Sequence, residues 1–291
     1  MVDLLVERAT FGHGGNQEVV RPFAARGDVE LLLVTPQMQS FEAGKKAESG
    51  EVPLSEEDVP HWDPDFPFWQ STTVELEGRT VSFRRIVMPM IENDTEMLNW
   101  LESITVDAVV CSGSRRNVSM WEDWMAPAAS LVRASANAGI PTLGICFGHQ
   151  LLCHALGSTI ERAESLSSGI WDLNLTDDGG DDELLTSHVS DDSTVAGLFT
   201  HQDHVISVPE SCSLLCSTNH NRVAAVRVLS ENGESLPAWG IQFHPEAARA
   251  RIERAHEWGH ITDEELASFK GEHDGSSILS SFATVVHRYQ A

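Results

Sequence analysis

Residues 141–157, PTLGICFGHQLLCHALG, constrain the fold more than any other stretch of this chain. The apolar run from Pro141 to Ile145 reads as a buried strand, and Leu151, Leu152, Ala155 and Leu156 then recur at helical spacing. Cys146 falls at the junction, with Gly144 and Gly148 two residues to either side. Glycines at those places permit a tight strand-to-helix turn and close approach of neighbouring backbone. Such a turn has the geometry of a nucleophile elbow, which lifts its central side chain onto the edge of a sheet in strained backbone. It also sets that side chain at a helix N-terminus, where free N–H groups and the helix dipole favour a thiolate over a thiol. The plainer alternative is a buried cysteine in a packing turn, and a second motif weighs against it.

That motif is AWGIQFHPE, residues 238–246. An apolar strand from Trp239 to Phe243 delivers His244, Pro245 constrains the backbone, and Glu246 follows. In extended geometry residues two apart point the same way. Glu246 is then expected to accept a hydrogen bond from one ring nitrogen of His244 while the other faces Cys146. Nucleophile, base and orienting acid would all be present. A lone histidine after a strand is ordinarily structural, and the chain has 13 of them. A His-Pro-Glu after an apolar strand, in a chain that also carries a cysteine elbow, is far more specific.

Strand-like and helix-like segments alternate, which predicts an α/β fold with a mostly parallel central sheet covered by helices. Strands are expected at Leu4 to Glu7, Val29 to Val34, Asp107 to Cys111, Pro141 to Ile145 and Trp239 to Phe243. Helices are expected at Asn16 to Arg26, Glu96 to Ser103, Trp124 to Ala138 and from Phe147 onward. Thr72 to Leu76 and Thr80 to Ile86 flank Glu77-Gly78-Arg79, a hairpin signal. The stretch from Ile160 to Val228 reads mainly as strands and turns. Residues 37–70 carry four prolines, two tryptophans and many acids, and read as a surface insertion. Residues 1–291 are expected to form one domain, with 247–291 as a C-terminal helical extension.

Composition narrows the partners. There are 44 acids against 19 bases, and only Lys45, Lys46 and Lys270 are lysines. A formal charge of −25 argues against duplex DNA or an anionic membrane as partner. No apolar run approaches the roughly 20 residues of a membrane span, and the opening MVDLLVERAT lacks a signal peptide's pattern. A cytoplasmic protein is expected. Cys212 and Cys216 form a C-x₃-C without nearby partner ligands, a weak metal signal. No metal and no cofactor are expected, and the cysteines other than Cys146 read as small buried apolar residues.

G-I-C-F-G-H-Q followed by G-I-Q-F-H-P-E resembles the class I glutamine amidotransferases, nearest to the glutaminase domain of GMP synthase and its stand-alone relatives. The segment from Phe199 to Pro209 and Ser168-Gly-Ile-Trp resemble that group as well. The resemblance implies a flavodoxin-like fold and a triad of Cys146, His244 and Glu246. It implies attack on glutamine to give a γ-glutamyl thioester and ammonia, with glutamate then released by water. The oxyanion would be held by the N–H groups of Phe147 and Ser114. Many family members have Gly-Gly-Pro where this chain has Gly113-Ser114-Arg115, but the role belongs to the backbone. Gly113, Gln150, Thr200, His201 and Gln202 would bind the substrate.

No G-x-x-x-x-G-K-[ST] occurs in the chain, and Gly12-His13-Gly14-Gly15 lacks the lysine. Ammonia would therefore reach a separate synthetase subunit, or the protein is simply a hydrolase. A γ-glutamyl peptidase would use the same triad, and a partner-binding protein would have kept only the shell. An ordinary α/β-hydrolase is disfavoured because its acid precedes the histidine well upstream.

Acids spread along the chain, with lysine scarce and arginine retained, point to adaptation to high salt. The screening length falls from about 10 Å at 0.1 M salt to about 3 Å at 1 M, which removes self-repulsion among carboxylates. Melting temperature is therefore expected to climb as potassium chloride is raised from about 0.1 M to well above 1 M. A flat or falling melting curve across that range would refute the high-salt reading.

Overall fold

Val109–Cys111 and Thr142–Ile145 are buried at every position. Strands with no exposed side need cover on both faces, which dictates a sheet between two layers of helices. The computed structural model, which describes residues 1–2, 16–36, 73–114, 116–186, 194–247, 249–257 and 261–290, has that arrangement. Its strands are β1 (Val29–Thr35), β2 (Thr73–Leu76), β3 (Arg79–Val87), β4 (Val109–Cys111), β5 (Thr142–Ile145), β6 (Ile160–Asp172), β7 (Asn174–Leu175), β8 (Ala196–Val205), β9 (Cys212–Ser217), β10 (Ala225–Leu229) and β11 (Ser235–Ile241). The helices are α1 (Asn16–Ala24), α2 (Asp94–Ser103), α3 (Met125–Asn137), α4 (Phe147–Ala155), α5 (Asp177–Gly180), α6 (Glu183–Thr186), α7 (Arg249–Glu257), α8 (Asp263–Ser268) and α9 (Gly275–Gln290).

Two groups of strands, in the orders β1-β3-β2 and β4-β5-β11-β10-β9-β7, meet at Val2. Val2 bridges Val34 of β1 and Cys111 of β4, both in parallel. Its N–H donates to the Val110 carbonyl at 2.8 Å, while the Val34 N–H donates to the Met1 carbonyl at 2.8 Å. The strand expected at Leu4 to Glu7 lies outside the described residues, as do the 37–70 insertion and the glycines from Gly12 to Gly15. The β1–β3, β4–β5 and β5–β11 pairs are parallel, and antiparallel pairs flank them. This is the α/β architecture that the alternating pattern predicts, with a mixed sheet that is parallel at its centre because β2, β10, β9 and β7 join by antiparallel pairing. The hairpin between β2 and β3 turns on Glu77 and Gly78, both at positive φ, which suits a two-residue turn. β6 and β8 pair separately as an antiparallel ribbon.

Alternation along β4 sorts the core into two layers. Val109 and Cys111 pack with Met97 and Leu101 of α2, Leu131 and Val132 of α3, and Leu151 and Leu152 of α4. Val110 faces the opposite layer, among Val19 of α1 and Leu279, Phe282 and Val286 of α9. The C-terminal helix therefore contributes Ile278, Leu279, Phe282, Val285 and Val286 to one core layer and does not stand off the domain. Among the described residues no helix is long and apolar enough to cross a membrane.

The region from Ile160 to Val228 is mainly strands and turns, as expected, with the two short helices α5 and α6 between them. The reason is local: Thr176 caps α5 by accepting from the Gly179 N–H, and acids fill both first turns. Between these helices lies Asp182, only 3% exposed. It accepts from Arg227 at 3.0 Å, from the Trp239 indole at 3.1 Å and from the Leu184 N–H at 2.9 Å. Arg227 also stacks over the Trp239 ring at 4.5 Å, so this cluster anchors the strand that leads to His244. Breaking a buried pair by removing one partner costs more than the intact pair contributes. Asp182→Ala is expected to lower stability by about 3 kcal/mol, the low end for such pairs because Glu183 still faces Arg227. Urea unfolding checks this, and a loss below about 1 kcal/mol would mean that the cluster is not an anchor.

Candidate active site

Cys146 sits between β5 and α4 with φ 51° and ψ −99°, a conformation L-residues avoid. The backbone around it over-determines that strain. Its N–H donates to Ile241 of β11 at 2.8 Å, and its carbonyl accepts from the Gln150 N–H at 3.0 Å. The flanking glycines are required by packing. A Cβ on Gly148 would run into the Cys111 carbonyl of β4, and one on Gly144 would run into the Gly148 backbone. Helix, elbow and both strands can approach this closely only without those side chains.

His244 is brought to the same place by the end of β11. That strand stops at Ile241, before the expected Phe243, and residues 244–247 form a turn closed by the Ala247 N–H donating to the His244 carbonyl at 3.2 Å. The extended geometry expected for His244 and Glu246 is thus replaced by a turn with Pro245 at its second position, where proline's fixed φ fits. The contact forms nonetheless, with His244 Nδ1 2.8 Å from Glu246 Oε1. A Cβ placed on Gly113 would lie 2.9 Å from His244 Cε1 and 3.7 Å from Cys146 Cβ. The glycine after β4 is therefore the space into which histidine and cysteine converge. His244 Nε2 is buried and has no hydrogen-bond partner among the described residues.

Burial disfavours a charged His244, but the Glu246 carboxylate and the Cys146 side chain beside it outweigh that and raise the ring to about 10. His149 shows the opposite case: burial depresses it to about 4, and its Nε2 donates to the Val223 carbonyl at 3.1 Å. It is a packing residue of the helix. Burial likewise pushes the Cys111 and Cys212 thiols up to about 12 and raises Cys153 and Cys216.

The other residues singled out in the sequence fall in several places. Phe147 is the first residue of α4, so its N–H has no intrahelical acceptor, and its ring stacks on Trp124 at 5.7 Å. Ser114 follows Gly113, and its hydroxyl accepts from the Arg116 N–H at 3.0 Å. The Gln150 amide donates to the Asp203 carbonyl at 2.9 Å and to Gln242 at 3.1 Å. The Thr200 carbonyl lies 4.0 Å from Cys146 Sγ. His201 is buried, with Nδ1 3.1 Å from the Asp203 carbonyl, and Gln202 binds Arg162 at 2.6 Å and the Ala163 carbonyl at 2.9 Å. Sequence reasoning assigned nothing to Asp203 or Gln242, although both are buried beside Gln150. The signal was available for Asp203: along β8, residues 199, 201, 203 and 205 share the buried face, and an acid there demands a partner.

With this geometry in view, residues 72–255 match the family Glutamine amidotransferase class-I. The chain belongs to that family. It is related to GMP synthase: a glutamine-hydrolyzing GMP synthase from Gloeobacter violaceus is 28% identical over 177 residues, covering 61% of this chain and 29% of the relative. A glutamine-hydrolyzing GMP synthase subunit from Sulfolobus acidocaldarius is 30% identical over 140 residues, covering 48% of this chain and 67% of that one. The chain thus spans less than a third of the length of the first relative. The solved structure of a glutamine amidotransferase from Thermotoga maritima shares the fold at 15% identity, with a TM-score of 0.51 over 89% of this chain and 97% of that one.

Within this amidotransferase framework the cysteines differ in surroundings more than in exposure, since Cys146 is 5% and Cys212 8% exposed. Cys146 has the His244–Glu246 pair beside it, whereas burial raises the other four thiols. Iodoacetamide is expected to alkylate Cys146 well before the remaining four in the folded protein, as read by peptide mass spectrometry. Equal or faster labelling of Cys212 would contradict that.

Proposed function

We propose that this chain hydrolyses the γ-amide of glutamine through a thioester on Cys146, with His244 and Glu246 completing the triad. The observation that carries the reading is the His244–Glu246 contact of 2.8 Å beside a cysteine held at positive φ. In the first step Cys146 Sγ bonds to the γ-carbonyl carbon, and the charge developing on oxygen meets the N–H groups of Phe147 and Ser114. His244 passes its proton to the leaving nitrogen, the C–N bond breaks and ammonia departs. Water then attacks the thioester, giving its proton to His244, and glutamate leaves with the thiolate restored. Glu246 keeps the ring oriented and favours its charged form. In this reading glutamine is bound by Gly113, Gln150, Thr200, His201 and Gln202, with the Gln150 amide exchanging its bonds to the Asp203 carbonyl and Gln242 for the substrate.

The names of the relatives support a further step of the same reading. A separate synthetase subunit would take up the ammonia, since the Sulfolobus acidocaldarius relative is itself named as one subunit of a GMP synthase.

The deciding experiment measures glutamate released from glutamine and from γ-glutamyl dipeptides. Cys146→Ala is expected to abolish release, and loss of His244 to cost roughly 10²–10⁴-fold, more than loss of Glu246. The pH profile adds a signed test. Raised to about 10, His244 keeps its proton through neutral pH and loses it only in strong alkali, so activity should fall on that side. Glu246→Gln removes the charge that raises it and should shift the alkaline limb to lower pH. Near-normal turnover by Cys146→Ala ends this reading, and a higher kcat/KM on a dipeptide than on glutamine replaces it with a peptidase.

A further inference from the structure

Asp203 has a carboxylate at 1% exposure that the proposed chemistry does not use. It faces inward from β8 and is occupied at both oxygens by one residue. Ser119 donates its N–H to Oδ2 at 2.8 Å and its hydroxyl to Oδ1 at 2.8 Å. Ser119 belongs to the loop that leaves β4 through Gly113 and Ser114, turns at the Arg116 N–H bond to the Ser114 hydroxyl, and buries Val118 at 3% exposure. The backbone carbonyl of Asp203 meanwhile accepts from the Gln150 side chain of α4 at 2.9 Å. One residue therefore fastens the Ser114 loop with its side chain and the helix that begins at Phe147 with its main chain.

We propose that Asp203 is a positioning residue, holding the Ser114 amide in register with the Phe147 amide so that the two form one oxyanion site. This rests on the glutamine-hydrolysis reading above. The loop is also held where Val118 enters the core, where Trp121 lies on His154 at 4.7 Å and where Trp124 stacks on Phe147, and Asp203 supplies its buried polar anchor. Donors aimed at a developing charge have to be held within about 0.5 Å of their productive places. A slackened loop would cost turnover while leaving the nucleophile intact. A merely structural acid would cost stability and nothing specific.

Asp203→Asn in the full chain replaces one acceptor by an N–H₂ facing a donor. It is expected to lower kcat on glutamine by roughly 10–100-fold, below the 10²–10³ of deleting an oxyanion donor outright, with KM nearly unchanged. Alkylation of Cys146 by iodoacetamide, a displacement at carbon that forms no oxyanion, should keep its wild-type rate. Ser119→Ala should reproduce part of the kcat loss and Ser119→Thr, which restores the hydroxyl, should recover it. These two decide the matter if Asp203→Asn fails to fold. The proposal is overturned by wild-type kcat in folded Asp203→Asn or Ser119→Ala. It is equally overturned if alkylation falls in step with kcat, because the defect then lies at the nucleophile. Wild-type protein without glutaminase activity overturns both readings at once, whereas an active wild type with indifferent variants overturns only the positioning role.

Discussion

The site depends on how closely the start of α4 can approach β4 and β5. Cys146 occupies strained backbone, a cost of order 1–3 kcal/mol per residue, and it persists because every neighbouring group is already committed. Its N–H is spent on Ile241, its carbonyl on Gln150, and the two flanking positions have no room for a side chain. The same closeness leaves the first amides of α4 without helical partners, facing the place where the cysteine side chain projects. Packing and reactivity are thus two consequences of one steric constraint. A bulkier elbow would move the cysteine away from His244, and Gly113 shows how little space separates them.

The second requirement is that His244 be held from behind. Residues 244–247 form a turn and have no ladder of their own, so support comes from elsewhere. Upstream, β11 is anchored by the Trp239 indole on Asp182. Downstream, the Ala247 carbonyl accepts from His273 at 3.0 Å, and Gly275 lies so close to the Pro245 carbonyl that a Cβ would clash with it. The beginning of α9 therefore braces the turn while its later residues fill the core beneath β11. A buried imidazolium also needs its countercharge nearby, since desolvation alone would neutralise it. Glu246 provides that charge from two residues away, and the turn makes the pairing geometrically cheap.

The electrostatic character of the surface is of another kind. The acids are distributed along the chain, so they act on the protein through net charge. Among the described residues three buried acids each have a partner: Asp182 with Arg227, Asp203 with Ser119, Glu246 with His244. The first two join segments far apart in the chain, and the third closes within one turn.

The amino-acid sequence by itself determined the parts whose physics is local. A strand, a glycine-flanked cysteine and an amphipathic run specify an elbow within 17 residues, and His-Pro-Glu specifies its own short-range hydrogen bond. The alternation of apolar segments was enough for the α/β class. Tertiary structure decided what depends on long-range placement. That β11 lies beside β5 brings His244 to Cys146, and that Gly113 faces both is a property of strand order. The extended geometry that the spacing predicts around Pro245 gives way to a turn because strand ends depend on tertiary pairing, which stops here at Ile241. Asp203 and Ser119 stand 84 residues apart, and no local periodicity links an acid on one strand to a hydroxyl on a distant loop. Only folding brings them within hydrogen-bond distance, because burying a carboxylate requires a donor and the chain supplies it from the loop after β4.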